Sequence, residues 1–546
     1  MQKNGSRLEQ LTSLRFFAAL AIVFHHLRGE MGVRDVDVGL DQGVSFFFVL
    51  SGFILAYVYP QLPHGKAVGT FWRARIARIW PAHFASFLLG WLLLDYKIVP
   101  ATAIANLALV QAWVPFWSFF FSYNGVAWSI STEFFFYLCF PFLLHRWDAT
   151  WRVKLGGAAT LLLVLVWACS ALALPLPLEV PTDRDAFQPS QVGVLYISPL
   201  SRLLEFIVGM VAAQLFQTRK YMTAKRLGTA LEFGMLLLCV LNVIASWYAV
   251  GVVDDIFPGA PIVQWIAHSS SLFSFAALFY VMAHGRGRIS ALLQLRPLVF
   301  LGEISFSMYL VHQILILYFS SNKSSFARLG GPLDLVVFFG VLILLSYLMW
   351  RCIELPARAV LTGTAGSIRF DLKKSLGPAS AALLLWITLA TVFTQPGGAD
   401  FISEREASLM TPASLAPHTG SVFGKRFELR GLDVRCLADG IELDLAWQSR
   451  MDQPFGYMNA LHLVDAGGAI LAQQDYGQPT RTSMVKAGQI WKERVFLSAG
   501  RLQPSMTSIA LAVYRGADLL AIDKGNTDWG GRRLIIPLPE CQSQLN

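Results

Sequence analysis

The sequence predicts an all-α polytopic membrane bundle of about eleven spans followed by an all-β, sandwich-like domain outside the membrane. Three observations predict it. Hydrophobic residues make up 55 % of the 546-residue chain and charged residues 14 %, outside the usual soluble range. Apolar runs near the length needed to cross a bilayer, about 20 residues, recur through the first two-thirds of the chain. After Gln395 they give way to short alternating runs separated by turn pairs.

The first span centres on residues 14–27. Lys3 and Arg7 precede it as in a signal peptide, but Arg15, His25 and His26 interrupt it and no small-residue cleavage pattern follows, so it reads as a retained helix. Further spans centre on 44–59, 79–94, 126–144, 155–172, 194–216, 230–248, 262–283, 299–319, 333–349 and 379–393. Residues 103–114 are apolar but short. They run into Trp113, Phe116, Trp117 and Phe119, which suits an interfacial helix.

The net charge of +9 lies in short clusters between apolar runs, which sets topology and excludes nucleic acid as a partner. With a cytoplasmic N-terminus, the inside loops carry Arg73, Arg75 and Arg78, then Arg146, Arg152 and Lys154, then Arg219, Lys220, Lys225 and Arg226. Arg286, Arg288 and Arg296 follow, and then Arg351, Arg358, Arg369, Lys373 and Lys374. The outside loops are mixed or acidic, as at Asp183, Arg184 and Asp185 or at Asp254 and Asp255. An odd number of spans then puts the C-terminal domain outside.

In that domain Gln395, Pro396, Gly397 and Gly398 break the last helix, and 403–420 reads as a polar linker. Strands are expected over 441–447, 460–464, 469–473 and 508–514, with turns at Gly467-Gly468 and Arg515-Gly516. Cys436 and Cys541, near its two ends, can close it as a disulfide if it is extracytoplasmic. Residues 457–475 resemble the β-sandwich appended to some bacterial membrane glycosyltransferases, which implies at most a sugar-proximal accessory role. The domain has no Gly-Asp-Ser nucleophile block and no paired carboxylates, so no chemistry is expected there.

Each ionisable side chain inside a span costs roughly 2.5–3.5 kcal/mol, so each invites a functional reading. Arg15 and His26 are eleven residues apart on the first helix, about 16 Å along its axis and nearly on one face. A snorkelling arginine and an interfacial histidine would read the same way. His25 is rotated about 100° away and leaves that stripe. A histidine there can withdraw the proton of a hydroxyl attacking a thioester.

Arg73, Arg75 and Arg78 fall in the loop 72–80 at a helix end, where guanidinium groups can bind phosphates or simply anchor the positive-inside loop. Trp128, Ser129, Ser131 and Glu133 open the fourth span, where Glu133 is either a satisfied helix N-terminal charge or a substrate contact. Arg202 and Glu205 form an i, i+3 pair that can neutralise itself. His312 is a lone intramembrane histidine, and Cys139 reads as a small core residue.

Together these residues resemble acyltransferase family 3, the bacterial integral membrane O-acyltransferases of polysaccharides. Arg15 followed by His26 is similar to the family's Arg, ten residues, His signature. Residues 46–53 read FFFVLSGF, 128–137 WSISTEFFFY and 305–312 SFSMYLVH; 73–78 is similar to the arginine motif and Glu354-Leu355-Pro356 to the end of the last core helix. One departure is Ser45, where many members carry an acidic residue. Asp35, Asp37 or Asp41 can substitute for it, and the sequence does not select among them.

The resemblance implies a core of ten spans at 8–360, then 361–395 as a cytoplasmic linker and an eleventh linking helix, 396–420 as a linker and 421–546 as a periplasmic β domain. It implies a catalytic set of His26 with Arg15, to which Glu133 is added, and acyl-CoA contacts at Arg73, Arg75 and Arg78. Trp128, Ser129, Glu205 and His312 are the expected substrate contacts. The expected donor is acyl-CoA, acetyl-CoA in the first instance, with no metal. The expected acceptor is a carbohydrate or lipid-linked sugar at the bacterial inner membrane. A multi-span transporter also buries Arg, Glu and His, but no inverted repeats or matched Gly/Pro-broken helices are evident in the sequence. A non-catalytic glycan sensor is the third reading.

Overall fold

The computed structural model describes residues 8–27, 39–62, 65–94, 98–175, 188–219, 225–257, 260–321, 332–363, 400–437, 440–451, 457–477, 485, 487–498, 505–515, 518–527 and 530–538. The expected eleventh helix (379–393), Asp35, Asp37 and Cys541 lie outside these residues. The chain divides into a helical unit and a β unit.

The helical unit opens with α1 (Glu9–Leu27), α2 (Gly43–Val58) and α3 (Lys66–Leu94). The expected loop at 72–80 does not exist. α3 runs 29 residues and passes through Pro81, so Arg73, Arg75 and Arg78 sit inside a helix rather than at its end. Short helices α4 (Pro100–Leu107) and α5 (Trp117–Phe120) precede α6 (Trp128–Leu144) and α7 (Trp147–Ala171).

The sixth expected span is broken. A π-helical turn at Val192–Ile197 stops before Pro199, and α8 (Leu203–Thr218) starts afresh. After α9 (Lys225–Ile256) the eighth span is broken too, into α10 (Ile262–Ser269) and α11 (Leu272–Ala283). The Gln42 side-chain oxygen accepts from the Ser271 N–H at 3.1 Å and so serves a donor freed by the break. Then come α12 (Arg288–Leu293), α13 (Arg296–Ser321), α14 (Pro332–Met349), a π-helical turn Trp350–Glu354 and α15 (Leu355–Thr362).

Among the described residues 9 helical stretches are long and apolar enough to cross a membrane, and the shorter Leu203–Thr218 is apolar as well. The chain is a multi-pass membrane protein. Among the described residues, α2 and α8 cross closely at two glycines. A Cβ on Gly52 would strike the Phe206 carbonyl, and one on Gly209 the Val49 carbonyl.

The stretch read as a polar linker is structured. It holds β1 (Asp400–Phe401) and α16 (Glu404–Leu409), which starts with a Ser403/Glu406 capping box. Ala407 of α16 packs with Ala446 and Ile490. The other strands are β2 (Val422–Phe423), β3 (Phe427–Leu437), β4 (Gly440–Ser449), β5 (Met458–Asp465), β6 (Ile470–Gly477), β7 (Ile490–Ser498), β8 (Met506–Arg515), β9 (Asp518–Leu519) and β10 (Leu534–Pro537). They form two antiparallel sheets, β1-β7-β4-β3-β2 and β10-β8-β5-β6, with β9 paired to β8. Ile441, Leu443, Leu445 and Trp447 alternate into a core shared with Leu461, Leu463, Ile509 and Leu511 of the other sheet. Between β5 and β6, Gly468 takes a φ of 83°, while Asp465 accepts from the Gly467 and Ala469 N–H groups at 2.9 Å each.

The opposite face of β4 presents Asp444, which pairs with Arg494 at 2.7 Å, Lys492 at 2.9 Å and Arg435. Burial pushes its carboxyl up, but the hydrogen bonds and charges of Arg494 and Lys492 outweigh this and hold it below the usual carboxylate range. A depressed folded-state pKa stabilises the fold above the unfolded pKa of about 3.9, and that contribution is lost as pH falls below it. The cations are 28–52 % exposed, so Asp444→Asn is expected to cost only about 1 kcal/mol. Its thermal unfolding should also lose part of the acid dependence of the parent protein, as followed by near-UV circular dichroism from neutral pH downwards.

Candidate functional site

α1 and α13 lie close because α13 carries Gly302 at their contact, where a Cβ would meet the Thr12 carbonyl. This brings His26 of α1 to His312 of α13, with His26 Nδ1 2.9 Å from His312 Nε2. His312 Nδ1 lies 2.6 Å from the Tyr309 carbonyl, which only accepts. In a neutral His312 the proton therefore sits on Nδ1, and Nε2 is an acceptor. His26 Nδ1 must then donate to it; the His26 ring also meets the Ile22 carbonyl one turn earlier on α1, and with the proton on Nδ1 its Nε2 carries the lone pair. Such a nitrogen can take a proton or attack a carbonyl. Tyr309 is held in turn by Ser129, hydroxyl to hydroxyl at 2.8 Å, and by the Val126 carbonyl at 3.2 Å.

Arg15 lies about 16 Å further down the α1 axis, about three turns from His26. It is within electrostatic range of Arg78, Glu133, Glu354 and Tyr137. Arg358 joins Arg75, Arg78 and Glu354 in the same region. The Arg75 guanidinium stands over the rings of Tyr59, Phe71 and Tyr137 at 5.8–5.9 Å. Glu133 accepts from Tyr137 at 2.5 Å and from Ser51 at 3.3 Å. Its partners are thus side chains rather than the free N–H groups of the helix start. Arg15, Arg75, Arg78 and Arg358 stand against the carboxylates Glu133 and Glu354, so this cluster carries an excess of two positive charges. Such a surplus suits an anion.

The structure brings together Arg15, Arg75, Arg78 and Glu133, and separately His26 and His312. Arg73 is exposed on α3, rotated about 140° from Arg78 by the helical repeat. Trp128 is buried edge-on against Tyr196 and Phe48. Glu205 is fully buried, 3.1 Å from Arg202, and accepts from Ser45 at 2.5 Å. The hydroxyl at the position of the family's acidic residue thus serves Glu205 rather than a histidine. Cys436 is disulfide-bonded.

Two groupings escaped sequence reasoning. Glu354 and Arg358 enter the arginine cluster from the last π-helical turn and α15, where the sequence shows only a motif end and an inside-loop charge. Asp41 bonds the Nδ1 of His268, a pair 227 residues apart. His268 is an intramembrane histidine in the eighth expected span, and that alone was the available signal. It sits at the α10–α11 break with Tyr196 stacked on its ring at 3.9 Å, and Arg202 reaches across to Ser269 beside it. Both helix breaks therefore meet at this point.

Residues 8–351 match the family described as Acyltransferase domain. The chain is 29 % identical over 343 residues to "Acyltransferase MdmB" of Streptomyces mycarofaciens, covering 57 % of this chain and 80 % of that protein. It is 26 % identical over 382 residues to "Putative peptidoglycan O-acetyltransferase YrhL" of Bacillus subtilis (strain 168), covering 64 % of this chain and 54 % of that protein. It is likewise 26 % identical over 398 residues to "O-acetyltransferase OatA" of Staphylococcus aureus (strain NCTC 8325 / PS 47), covering 65 % of this chain and 59 % of that protein. No solved structure gives a significant match.

Proposed function

The chain belongs to the acyltransferase family whose domain it carries over residues 8–351, and on that premise we propose that it moves an acyl group, acetyl in the first instance, from cytoplasmic acyl-CoA to a hydroxyl of a cell-surface or lipid-linked polysaccharide. The observation that carries this reading is the His26–His312–Tyr309 chain, which puts the lone pair on His26 Nε2, on the helix that also supplies Arg15 to the arginine cluster. The cluster, with Arg75, Arg78 and Arg358, would hold the donor's phosphates while the thioester reaches up α1 to His26 Nε2. Exposed Arg73 falls to the role of a membrane-surface anchor. The positive loops support a cytoplasmic N-terminus and a donor entering from that side. A polysaccharide acceptor is supported by the relative named a peptidoglycan O-acetyltransferase.

Membrane vesicles from the producing cell bring their own acceptor, and labelled acetyl-CoA tests the proposal. Alkali-labile label should enter the vesicle polysaccharide. Arg78→Ala should raise the KM for acetyl-CoA about 10- to 100-fold, since hydrogen bonds to charged groups contribute about 1.5–3 kcal/mol. Vesicles that form no ester with the wild-type protein, yet accumulate an unmodified solute because of it, would favour the transporter instead.

A further inference from the structure

The helical unit holds a second oriented imidazole, and its chemistry complements that of His26. Asp41, from the 3-10 turn Leu40–Gln42 just before α2, holds His268 Nδ1. A carboxylate on Nδ1 fixes the proton there, so His268 Nε2 carries the lone pair. The His268 side chain is 23 % exposed and that of Asp41 11 %, so the ring is reachable although it lies within the bundle. The Tyr196 ring stacked at 3.9 Å and the Arg202–Ser269 bond beside it keep the imidazole in place.

The two histidines lie toward the same end of the bundle. His26 is the penultimate residue of α1, Asp41 lies two residues before the start of α2, and Asp41 is within electrostatic range of both His26 and His25. Their partners differ. A proton taken by His268 makes an imidazolium facing a carboxylate, which stabilises it. A proton taken by His26 has no carboxylate bonded to its ring, because His26 Nδ1 donates to a neutral imidazole and Asp41 acts on it only through space. An acyl group on His26 Nε2, by contrast, makes the Nδ1 proton acidic, and the His312 Nε2 lone pair 2.9 Å away is placed to receive it.

Resting on the acyl-transfer reading above, we propose that His268, held by Asp41, is the base that deprotonates the acceptor hydroxyl, while His26 works on the donor side. In the first step His26 Nε2 attacks the thioester carbonyl, the C–S bond breaks and the coenzyme leaves as thiolate. The Nδ1 proton of His26 passes to His312, leaving a neutral acyl-imidazole and a protonated His312. In the second step His268 Nε2 takes the hydroxyl proton as the oxygen bonds to the acyl carbon. The C–N bond breaks, and His26 recovers its proton from His312. The proton left on His268 balances the thiolate, giving ester and free thiol.

Two assays separate the steps. Purified full-length protein without acceptor reports donor cleavage as a burst of free CoA thiol, and vesicles with labelled acetyl-CoA report ester in polysaccharide. His268→Ala should keep the burst within about threefold and lose ester formation about 100-fold or more, the usual size of a base contribution. Added imidazole should restore part of that loss. Asp41→Asn, which keeps the ring and the helix break, should show the same split in milder form and guards against a misfolded His268→Ala. Unchanged ester formation in His268→Ala, or burst and ester falling together in both variants, overturns the assignment. Failure of the wild-type protein to make ester at all would instead remove the acyl-transfer reading beneath it.

Discussion

His26→Ala is expected to abolish both the burst of free CoA and the ester in polysaccharide, with a loss of at least 10²- to 10⁴-fold. The size follows from position. Under the proposed mechanism the Nε2 of His26 bonds to the acyl group itself, and neither His312 nor His268 replaces it. His312 Nε2 is occupied as an acceptor, and His268 faces Asp41. Folding should survive, because His26 is the penultimate residue of α1 and is only half-buried. Detergent size-exclusion elution matching the parent would establish that. His312→Ala provides a graded comparison, since it keeps the reactive nitrogen but frees its tautomer, and it should lie between His26→Ala and the parent. Unaltered ester content in His26→Ala vesicles would remove His26 from the chemistry.

The second large effect is steric. Gly52→Val is expected to prevent recovery of folded protein, because the new side chain is directed into the Phe206 carbonyl and backbone cannot yield as a flexible side chain does. Overpacking of this kind typically costs about 1–3 kcal/mol, and more where nothing can move. Separating α2 from α8 would also part Ser45 from Glu205 and take one hydroxyl donor from the fully buried Arg202–Glu205 pair. Gly209→Val should fail in the same way against Val49. Gly234→Val supplies the control, since a Cβ there meets nothing within 4 Å. A fluorescent-fusion elution profile distinguishes these outcomes, and a monodisperse Gly52→Val protein would count against the crossing.

Much of this was legible in sequence because it is local. Apolar length places most of the spans, and alternation puts Ile441, Leu443, Leu445 and Trp447 on one face and Asp444 on the other. The Arg15–His26 stripe follows from helical spacing alone. Arg73 is separable from Arg75 and Arg78 by the same spacing once the helix runs back from residue 79 to Lys66, a continuation that the three arginines within 73–78 disguise as a polar loop. Pro199 inside the apolar run is a local signal for the break at 198–202, but nothing local marks the one at 270–271, and neither sequence stretch shows what sustains its break. Their flanks stay apolar, and the partners that make the breaks tolerable, Gln42 and Arg202, come from elsewhere in the chain. For the same reason Asp41 could not be matched with His268 across 227 residues.

The surplus of two positive charges at Arg15, Arg75, Arg78 and Arg358 bears on more than capture of the donor. With the proposed donor, the spent coenzyme carries the same phosphates and is gripped as firmly as the loaded one, since contacts shared by both forms do not discriminate between them. Chemistry then does not clear the site; only exchange does. Under the proposed function, turnover would follow the proportion of coenzyme that is acylated rather than its total amount, so the rate of ester formation would register the loading state of the donor pool.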